Sequence, residues 1–220
     1  MIVVTYKYSP TPGFTEMEKS VRRQGHELAV LEVSGPHPDE INRKLLDLYE
    51  RASTGHENFL YADGADSFFQ REVTGIPTDC ILYSTEKACY PIVEYAKKHP
   101  ETESRWKYLN GGGVCGPLKL MIEYMRRYNL CNVGSKNGQQ YLMECFFQAR
   151  KDGFPVKLDM ECEIFQTLAF ADDSEFEWIE YPLQGKTYHE LRNKITGTIP
   201  AVLHGNGLTE MKHIYARFKI

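Results

Sequence analysis

Two carboxylates stand three residues apart directly after a short apolar run. The run is 58–62 (Asn-Phe-Leu-Tyr-Ala), and the carboxylates belong to Asp63 and Asp66. In open α/β sheets, ligands bind at the carboxyl ends of strands. A hard divalent cation needs only one or two carboxylates when the phosphates of its substrate complete the shell. Gly64 allows close backbone approach between the two acids. The segment therefore indicates a divalent-cation site, and a helix cap with a turn is the alternative interpretation.

A second segment with metal-binding chemistry lies near the end of the chain. An apolar run, 201–203, ends in His204, which is followed by Gly205, Asn206 and Gly207. Histidine is a borderline ligand and shifts the preference of an oxygen site from magnesium toward manganese. The glycines free backbone N–H groups to face phosphate oxygens. A buried histidine before a tight turn is the alternative.

A third segment, 109–116, contains four glycines in six residues. So little side-chain bulk suits a loop that is pressed against a ligand, with Asn110 as a hydrogen-bonding group for sugar hydroxyls. The spacing does not match the dinucleotide-binding or P-loop patterns. A plain tight turn is again the alternative.

The elements that must position these residues alternate between strands and helices. This alternation predicts one α/β domain over 1–220, with a mixed, mostly parallel central sheet flanked by helices. Apolar spacing and stop signals predict helices at 15–24, 39–52, 117–128, 139–151 and 211–220. Strands are predicted at 1–8, 26–33, 58–62, 80–83, 164–169 and 201–204.

The composition narrows the class of protein. The formal net charge of -4 argues against a general polyanion binder, although Arg22, Arg23, Arg126 and Arg127 leave room for local basic patches. Six cysteines without a CxxC pair indicate reduced thiols rather than a zinc site or a disulfide framework. We find no signal peptide and no apolar run long enough to span a membrane, so we expect a cytoplasmic protein.

Five motifs in order resemble the glycosyltransferase domain of the procollagen lysyl hydroxylases and the related collagen glycosyltransferases. The resemblance covers roughly 1–215. The motifs are Asp63 to Asp66, the segment 84–91 (Ser-Thr-Glu-Lys-Ala-Cys-Tyr-Pro), 109–112 (Leu-Asn-Gly-Gly), Leu158-Asp159 through Ile164-Phe165-Gln166, and 204–207 (His-Gly-Asn-Gly). It implies a GT-A type fold and metal-dependent transfer of a hexose, glucose or galactose, from a UDP-sugar to an acceptor hydroxyl.

The resemblance also implies roles for individual residues. It makes Asp63, Asp66 and His204 the ligands of Mn²⁺, or of Mg²⁺. Tyr6 and Tyr8 would flank the uridine. The other donor contacts that we expect are Thr5, Lys44, Gly64, Asn110, Gly111, Gly112, Gly205, Asn206 and Lys212. The candidates for the reacting centre are Glu86, Gln139 and Asp159.

The chain departs from the family pattern at 135–140 (Ser-Lys-Asn-Gly-Gln-Gln). The family carries an acidic run there, whereas Gln139 takes the position of the active carboxylate. An amide cannot act as a general base near neutral pH, so Gln139 can only hold the sugar or stabilise charge through hydrogen bonds. Tyr90 replaces a family tryptophan, which changes a stacking surface, and Glu210 stands where the family has a lysine.

The sequence leaves the acceptor open among a hydroxylated protein side chain, a glycan and a hydroxymethylated DNA base. A stand-alone enzyme of this kind would suit a bacteriophage or a bacterium, acting in the host or bacterial cytoplasm. Two alternatives to the transferase are a catalytically inactive sugar-nucleotide binder and a metal-dependent nucleotide-sugar hydrolase. The stereochemical course and the oligomeric state are open as well.

Overall fold

The computed structural model describes residues 1–8, 12–35, 37–183, 186–207 and 209–218. Its centre is a six-stranded sheet in the order β2-β1-β3-β6-β5-β7. The strands are β1 (Ile2–Lys7), β2 (Glu27–Glu32), β3 (Asn58–Ala62), β5 (Ile81–Glu86), β6 (Tyr108–Pro117) and β7 (Val156–Leu158). β1 pairs in parallel with β2 and β3, and β5 pairs in parallel with β7, while β6 runs antiparallel between β3 and β5.

The inner strands β1 and β3 are buried on both faces, which explains why they are largely apolar without alternation. In β3, Phe59 and Tyr61 belong to the core on one face, and Leu60 and Ala62 belong to the core on the other. The helices are α1 (Pro12–Arg23), α2 (Pro38–Ala52), α3 (Leu118–Arg127), α4 (Gly138–Lys151) and α5 (Lys212–Phe218). No helix in the described ranges is both long and apolar enough to cross a bilayer.

Helix spacing decides which face of each helix joins the core. In α2 the buried residues are Ile41, Leu45 and Tyr49, which stand four positions apart and form one stripe. α4 begins where the side chain of Asn137 accepts hydrogen bonds from two N–H groups of the first turn. This cap places the first turn of α4 beside β6, where the site is formed.

A smaller sheet brings the late histidine segment to the acidic segment. Its strands are β4 (Ser67–Phe69), β8 (Phe165–Thr167) and β11 (Val202–His204), in the order β4-β11-β8. His204 stands opposite Ser67 in an antiparallel pair and opposite Thr167 in a parallel pair. A separate hairpin joins β9 (Phe176–Leu183) to β10 (Lys186–Asn193).

The architecture confirms the predicted fold class, a mixed α/β protein whose central sheet is flanked by helices. One local prediction was wrong. Residues 111–113 do not form a loop, because they lie inside β6. The prediction also missed β4, β7 and the β9–β10 hairpin. The predicted tail helix is present as α5, and residues 219–220 of that prediction lie outside the described residues.

Candidate active site

Three side chains with metal-ligating atoms meet where β3 and β11 end. One ligand atom from each of Asp63, Asp66 and His204 lies within 4.8 Å of the others. Backbone hydrogen bonds fix this arrangement. The Asp63 N–H donates to the carbonyl of Gly112 at 2.9 Å, and the Gly205 N–H donates to the carbonyl of Asp66 at 2.9 Å. The cluster is therefore set by the two sheets rather than by a free loop.

The charges of the cluster fit a divalent cation. Burial and the neighbouring Asp66 carboxylate raise the pKa of Asp63. Burial alone would lower the pKa of His204, but the carboxylates of Asp66 and Asp63 outweigh it and raise that pKa. His204 Nε2 lies 3.1 Å from Asp66 Oδ1, and its Nδ1 is buried without a hydrogen-bond partner among the described residues. Carboxylates that repel each other beside an unsatisfied imidazole form a donor set that suits a borderline cation such as Mn²⁺.

The glycines of β6 make room for side chains from other elements. A Cβ on Gly112 would lie 2.0 Å from Cε1 of His204, and a Cβ on Gly111 would lie 2.7 Å from Oε1 of Gln139. Neither distance is possible for a real Cβ, so any larger residue would displace its neighbour. The glycine cluster that resembles a ligand loop in the sequence is thus a strand segment with no side-chain bulk, packed against His204 and Gln139.

This segment bulges away from β5. Leu109 pairs with Thr85 and Val114 pairs with Tyr83, so residues 110–113 face only Ser84. The Ser84 hydroxyl donates to the backbone carbonyl of Asn110 at 3.0 Å. Bulges re-aim the backbone beside functional sites. Here the bulge turns Asn110 and the following glycines toward the cavity.

Gln139 is held by the bulged backbone. Its Oε1 accepts a hydrogen bond from the Gly111 N–H at 2.8 Å, and its Nε2 donates to the carbonyl of Leu109 at 2.6 Å. Nε2 also lies 3.4 Å from Oε1 of Glu86. The amide therefore replaces ladder hydrogen bonds that the bulge removes from β6, which is a role that a carboxylate could fill only in part.

Glu86 is the carboxylate of the site that stands apart from the metal cluster. It ends β5 and is buried, and burial raises its pKa to about 7. Its Oε2 accepts a hydrogen bond from Nδ2 of Asn206 at 2.9 Å. A carboxyl group with this pKa can hold or release a proton near neutral pH, which is the property that acid–base chemistry requires.

These groups line one large cavity of about 1120 Å³. Ten of the residues expected from the sequence lie in its wall: Tyr6, Asp63, Asp66, Glu86, Asn110, Gly111, Gly112, Gln139, His204 and Asn206. Cavities of this size accept drug-sized ligands and cofactors. No lysine or arginine of the described residues lines it.

Six of the expected donor contacts lie outside the cavity wall, and the first four are Thr5, Tyr8, Lys44 and Gly64. Thr5 is fully buried, and a Cβ on Gly64 would lie 2.7 Å from its hydroxyl oxygen. Lys44 is held on the protein surface, because its Nζ donates to the carbonyl of Glu32 at 2.6 Å. Tyr8 is half exposed and stacks on Tyr6, with ring centroids 6.5 Å apart. Thr5 and Gly64 thus pack against each other beside the acidic segment and do not line the cavity.

The remaining expected residues also lie outside the wall. Gly205 packs against Met211, since a Cβ there would lie 2.5 Å from Cγ of that methionine. Lys212 is exposed at the start of α5. Asp159 is buried, and its carboxylate accepts backbone hydrogen bonds at 2.8–2.9 Å from residues 163–165. In the structure, Asp159 stabilises the turn between β7 and β8 through these hydrogen bonds.

Sequence reasoning missed the apolar rim of the cavity. Phe170 and Val93 line the cavity with 78% and 72% of their surface exposed, and Tyr90 lines it with 61% exposed. Phe170 has no marker in the sequence, because its position depends on a left-handed backbone after β8. Tyr90 does carry a signal, since it takes the place of a family aromatic residue.

Several known proteins are similar in sequence to this chain. Mouse (Mus musculus) procollagen-lysine,2-oxoglutarate 5-dioxygenase 2 is 26% identical over 132 residues, which are 60% of this chain and 17% of the relative. The bovine (Bos taurus) procollagen-lysine,2-oxoglutarate 5-dioxygenase 1 is 23% identical over 231 residues, 98% of this chain and 31% of the relative. The human (Homo sapiens) multifunctional procollagen lysine hydroxylase and glycosyltransferase LH3 is 25% identical over 136 residues, 61% of this chain and 18% of the relative.

The chain thus spans less than a third of the length of each of these relatives. The family model described as the PLOD GT domain matches residues 58–216, which include the acidic segment, the bulged strand and His204. Because this match covers more than half of the chain, the chain belongs to the PLOD GT domain family and is a glycosyltransferase domain.

Proposed function

We propose that the protein transfers a hexose, glucose or galactose, from a UDP-sugar to an acceptor hydroxyl with the help of Mn²⁺ or Mg²⁺. The observation that carries this proposal is the cluster of Asp63, Asp66 and His204 in the wall of the 1120 Å³ cavity. Asn110 lies in the same wall and offers a side-chain amide group to a sugar.

Asp63, Asp66 and His204 are the residues that would hold the metal. Two carboxylates and an imidazole favour Mn²⁺ over Mg²⁺. When bound, the cation supplies positive charge that stabilises the nucleoside diphosphate as it leaves. The protein offers no substitute in the cavity wall, because none of the described wall residues is a lysine or an arginine.

We place the uracil ring against Tyr6. This ring lines the cavity, and its centroid lies 6.5 Å from that of Tyr8 and 6.3 Å from that of Tyr61. Tyr61 lines the cavity as well, and aromatic side chains stack favourably on planar ligands.

Glu86 is our candidate for the group that faces the reacting hydroxyl. It is buried in the cavity wall with a pKa of about 7, and Asn206 orients its carboxyl group. Gln139 cannot take a proton, and its amide is already engaged by Gly111 and Leu109. Gln139 therefore positions the backbone that faces the sugar.

The charge of the cavity wall favours some classes of acceptor over others. Its wall contains three carboxylates, from Asp63, Asp66 and Glu86, and its described residues include no lysine or arginine. This wall favours a hydroxyl on a glycan or a protein side chain over one on a DNA base, whose flanking phosphates would be repelled. We propose that the reaction takes place in the cytoplasm, of a bacterium or of the host of a phage.

The test is donor turnover with and without metal. Purified protein is incubated with UDP-glucose or UDP-galactose and Mn²⁺, or with EDTA, and the release of UDP is measured together with donor affinity. We expect Asp66→Ala and His204→Ala each to abolish Mn²⁺-dependent donor binding while the fold persists. Lys44→Ala is the matched control, because the Lys44 side chain is hydrogen-bonded to the backbone of Glu32 on the protein surface, outside the cavity.

Retained Mn²⁺-dependent affinity in both ligand variants would contradict the metal assignment. Donor binding without any UDP release would identify an inactive sugar-nucleotide binder. Release of the sugar to water, with no acceptor able to increase the rate, would identify a nucleotide-sugar hydrolase. Release of UMP would point to cleavage at the diphosphate instead of at the sugar.

A further inference from the structure

Phe170 is an aromatic side chain presented to solvent at the rim of the cavity. It lines the cavity, yet 78% of its surface is exposed, and its backbone has a φ of +58°. Bulky L-residues adopt this left-handed region at an energetic cost, and such residues cluster at functional sites. The surrounding structure must therefore hold Phe170 in place.

An ion cluster around the buried Glu175 holds the carbonyl side of Phe170. Lys87 Nζ donates to the carbonyl of Phe170 at 3.3 Å and forms an ion pair with Glu175. Glu175 is almost completely buried and also accepts a hydrogen bond from Arg105 at 2.5 Å and one from the Asp172 N–H at 2.9 Å. These contacts hold the turn that contains Phe170 in a fixed position.

A second set of hydrogen bonds holds the other side of the segment. The Ala169 N–H donates to Oδ1 of Asn206 at 3.0 Å, and Asn206 in turn donates to Glu86 at 2.9 Å. Glu86 and Lys87 are consecutive residues at the end of β5. Glu86 receives the hydrogen bond from Asn206, and Lys87 belongs to the ion cluster. The position of Phe170 is thus linked to Glu86 through Ala169 and Asn206.

We propose that Phe170 is a specificity-determining residue that contacts an uncharged acceptor ring, such as a pyranoside, and that Lys87 is the residue that positions it. This inference rests on the proposed transferase function. The wall of the cavity has carboxylates and no described lysine or arginine, which suits an uncharged ligand. Tyr90, also exposed in the wall, offers a second ring, and the C–H face of a sugar ring packs on such surfaces.

The experiment measures UDP release from UDP-glucose and UDP-galactose with Mn²⁺ in three conditions. These are water alone, added methyl β-D-glucopyranoside or methyl β-D-galactopyranoside, and added duplex DNA that contains 5-hydroxymethylcytosine. We expect a methyl glycoside, and not the DNA, to raise UDP release above the rate in water. Phe170→Ala should raise the KM for the glycoside about three- to tenfold, with a smaller change in the donor KM.

Matched variants separate contact from positioning. Phe170→Trp retains a ring and should keep the acceptor KM near the wild-type value. Lys87→Met should raise the acceptor KM in the same direction, and Lys87→Arg should restore it, with kcat less affected than KM. Arg192→Met removes a surface ion pair at 2.7 Å from Glu177 on the hairpin and serves as the control. Melting temperatures show that each variant is folded.

An acceptor KM that does not change in Phe170→Ala would overturn the inference. Equal increases in the donor KM and the acceptor KM would also overturn it. So would transfer to the DNA without transfer to either glycoside. Absence of transfer to any of these acceptors would overturn it as well. Absence of UDP release in every condition would contradict the proposed function itself, and the inference would fall with it. The UDP release in water distinguishes these two failures.

Discussion

Adding a single methyl group at Gly112 should remove the histidine ligand without touching any charged residue. Gly112 lies in β6 with its α-carbon facing the imidazole of His204. The Cβ of Gly112→Ala would lie 2.0 Å from Cε1 and 2.7 Å from both ring nitrogens. The strand is fixed by its pairing with β3, so the imidazole has to move instead of the backbone.

The size of that movement follows from the contact distances. Ordinary van der Waals contact begins at 3.4 Å, so the ring must retreat by about 1.4 Å, which is the difference from 2.0 Å. Metal–ligand distances tolerate deviations of only about 0.2 Å. The displacement is several times larger than this tolerance. We therefore expect Mn²⁺ affinity to fall at least about a hundredfold, and overpacking to cost about 1–3 kcal/mol of the free energy of unfolding.

Isothermal titration of Mn²⁺, with and without UDP, measures the loss. Thermal unfolding in EDTA and in Mn²⁺ shows whether metal still stabilises the fold. Gly55→Ala is the control, because no atom lies within 4 Å of its Cβ position. Gly111→Ala provides a graded comparison, since its Cβ meets the flexible end of Gln139 at 2.7 Å. Unchanged Mn²⁺ affinity in Gly112→Ala would refute the assignment of His204 as a ligand.

Three further predictions address the carboxyl and amide groups around the cavity. The pKa of Glu86 is raised from 4.5 to about 7, so its contribution to stability is present below pH 4.5 and is lost as the pH rises through 7; the loss is about 3 kcal/mol. Glu86→Gln should remove this component from urea-unfolding free energies measured across pH 4–8 in EDTA, and an unchanged pH slope would contradict it. Asp159→Ala leaves three backbone N–H groups unpaired and should cost about 3 kcal/mol in urea unfolding with Mn²⁺ affinity retained; a stable variant that has lost transfer would instead place Asp159 at the reacting centre. Gln139→Ala should lower the transfer rate more than donor affinity, because it frees the backbone of Gly111 and Leu109, and equal transfer rates would show that this backbone does not face the sugar.

Much of the fold could be predicted because long elements carry periodic signals. The stripe of Ile41, Leu45 and Tyr49 predicts α2, and the apolar run 58–62 has the same bounds as β3. Three-residue strands such as β4 and β7 contain too few positions to show a period. The glycine run was misjudged because glycine is normally depleted in strands, and only the packing of His204 and Gln139 explains its presence in β6.

The candidate site could be predicted where its residues follow strands. Asp63, Glu86 and His204 stand at or directly after the ends of strands that meet at one edge of the fold, so topology brings them together. Lys44 could not be placed, because a long flexible side chain takes the nearest acceptor, here the carbonyl of Glu32. Phe170 could not be found either, because its exposure depends on an ion cluster whose members come from distant segments.

The charge of the cavity predicts that donor binding and metal binding depend on each other. Asp63, Asp66 and Glu86 place negative charge in a wall with no described lysine or arginine, so a diphosphate entering alone would meet repulsion. A divalent cation at the Asp63, Asp66 and His204 cluster would neutralise the two aspartates and leave its own field to attract the diphosphate. Linkage then requires that UDP raise the affinity for Mn²⁺ by the same factor by which Mn²⁺ raises the affinity for UDP. Because the cation supplies the attraction, this factor should be large, and the leaving diphosphate and the metal should depart from the cavity together.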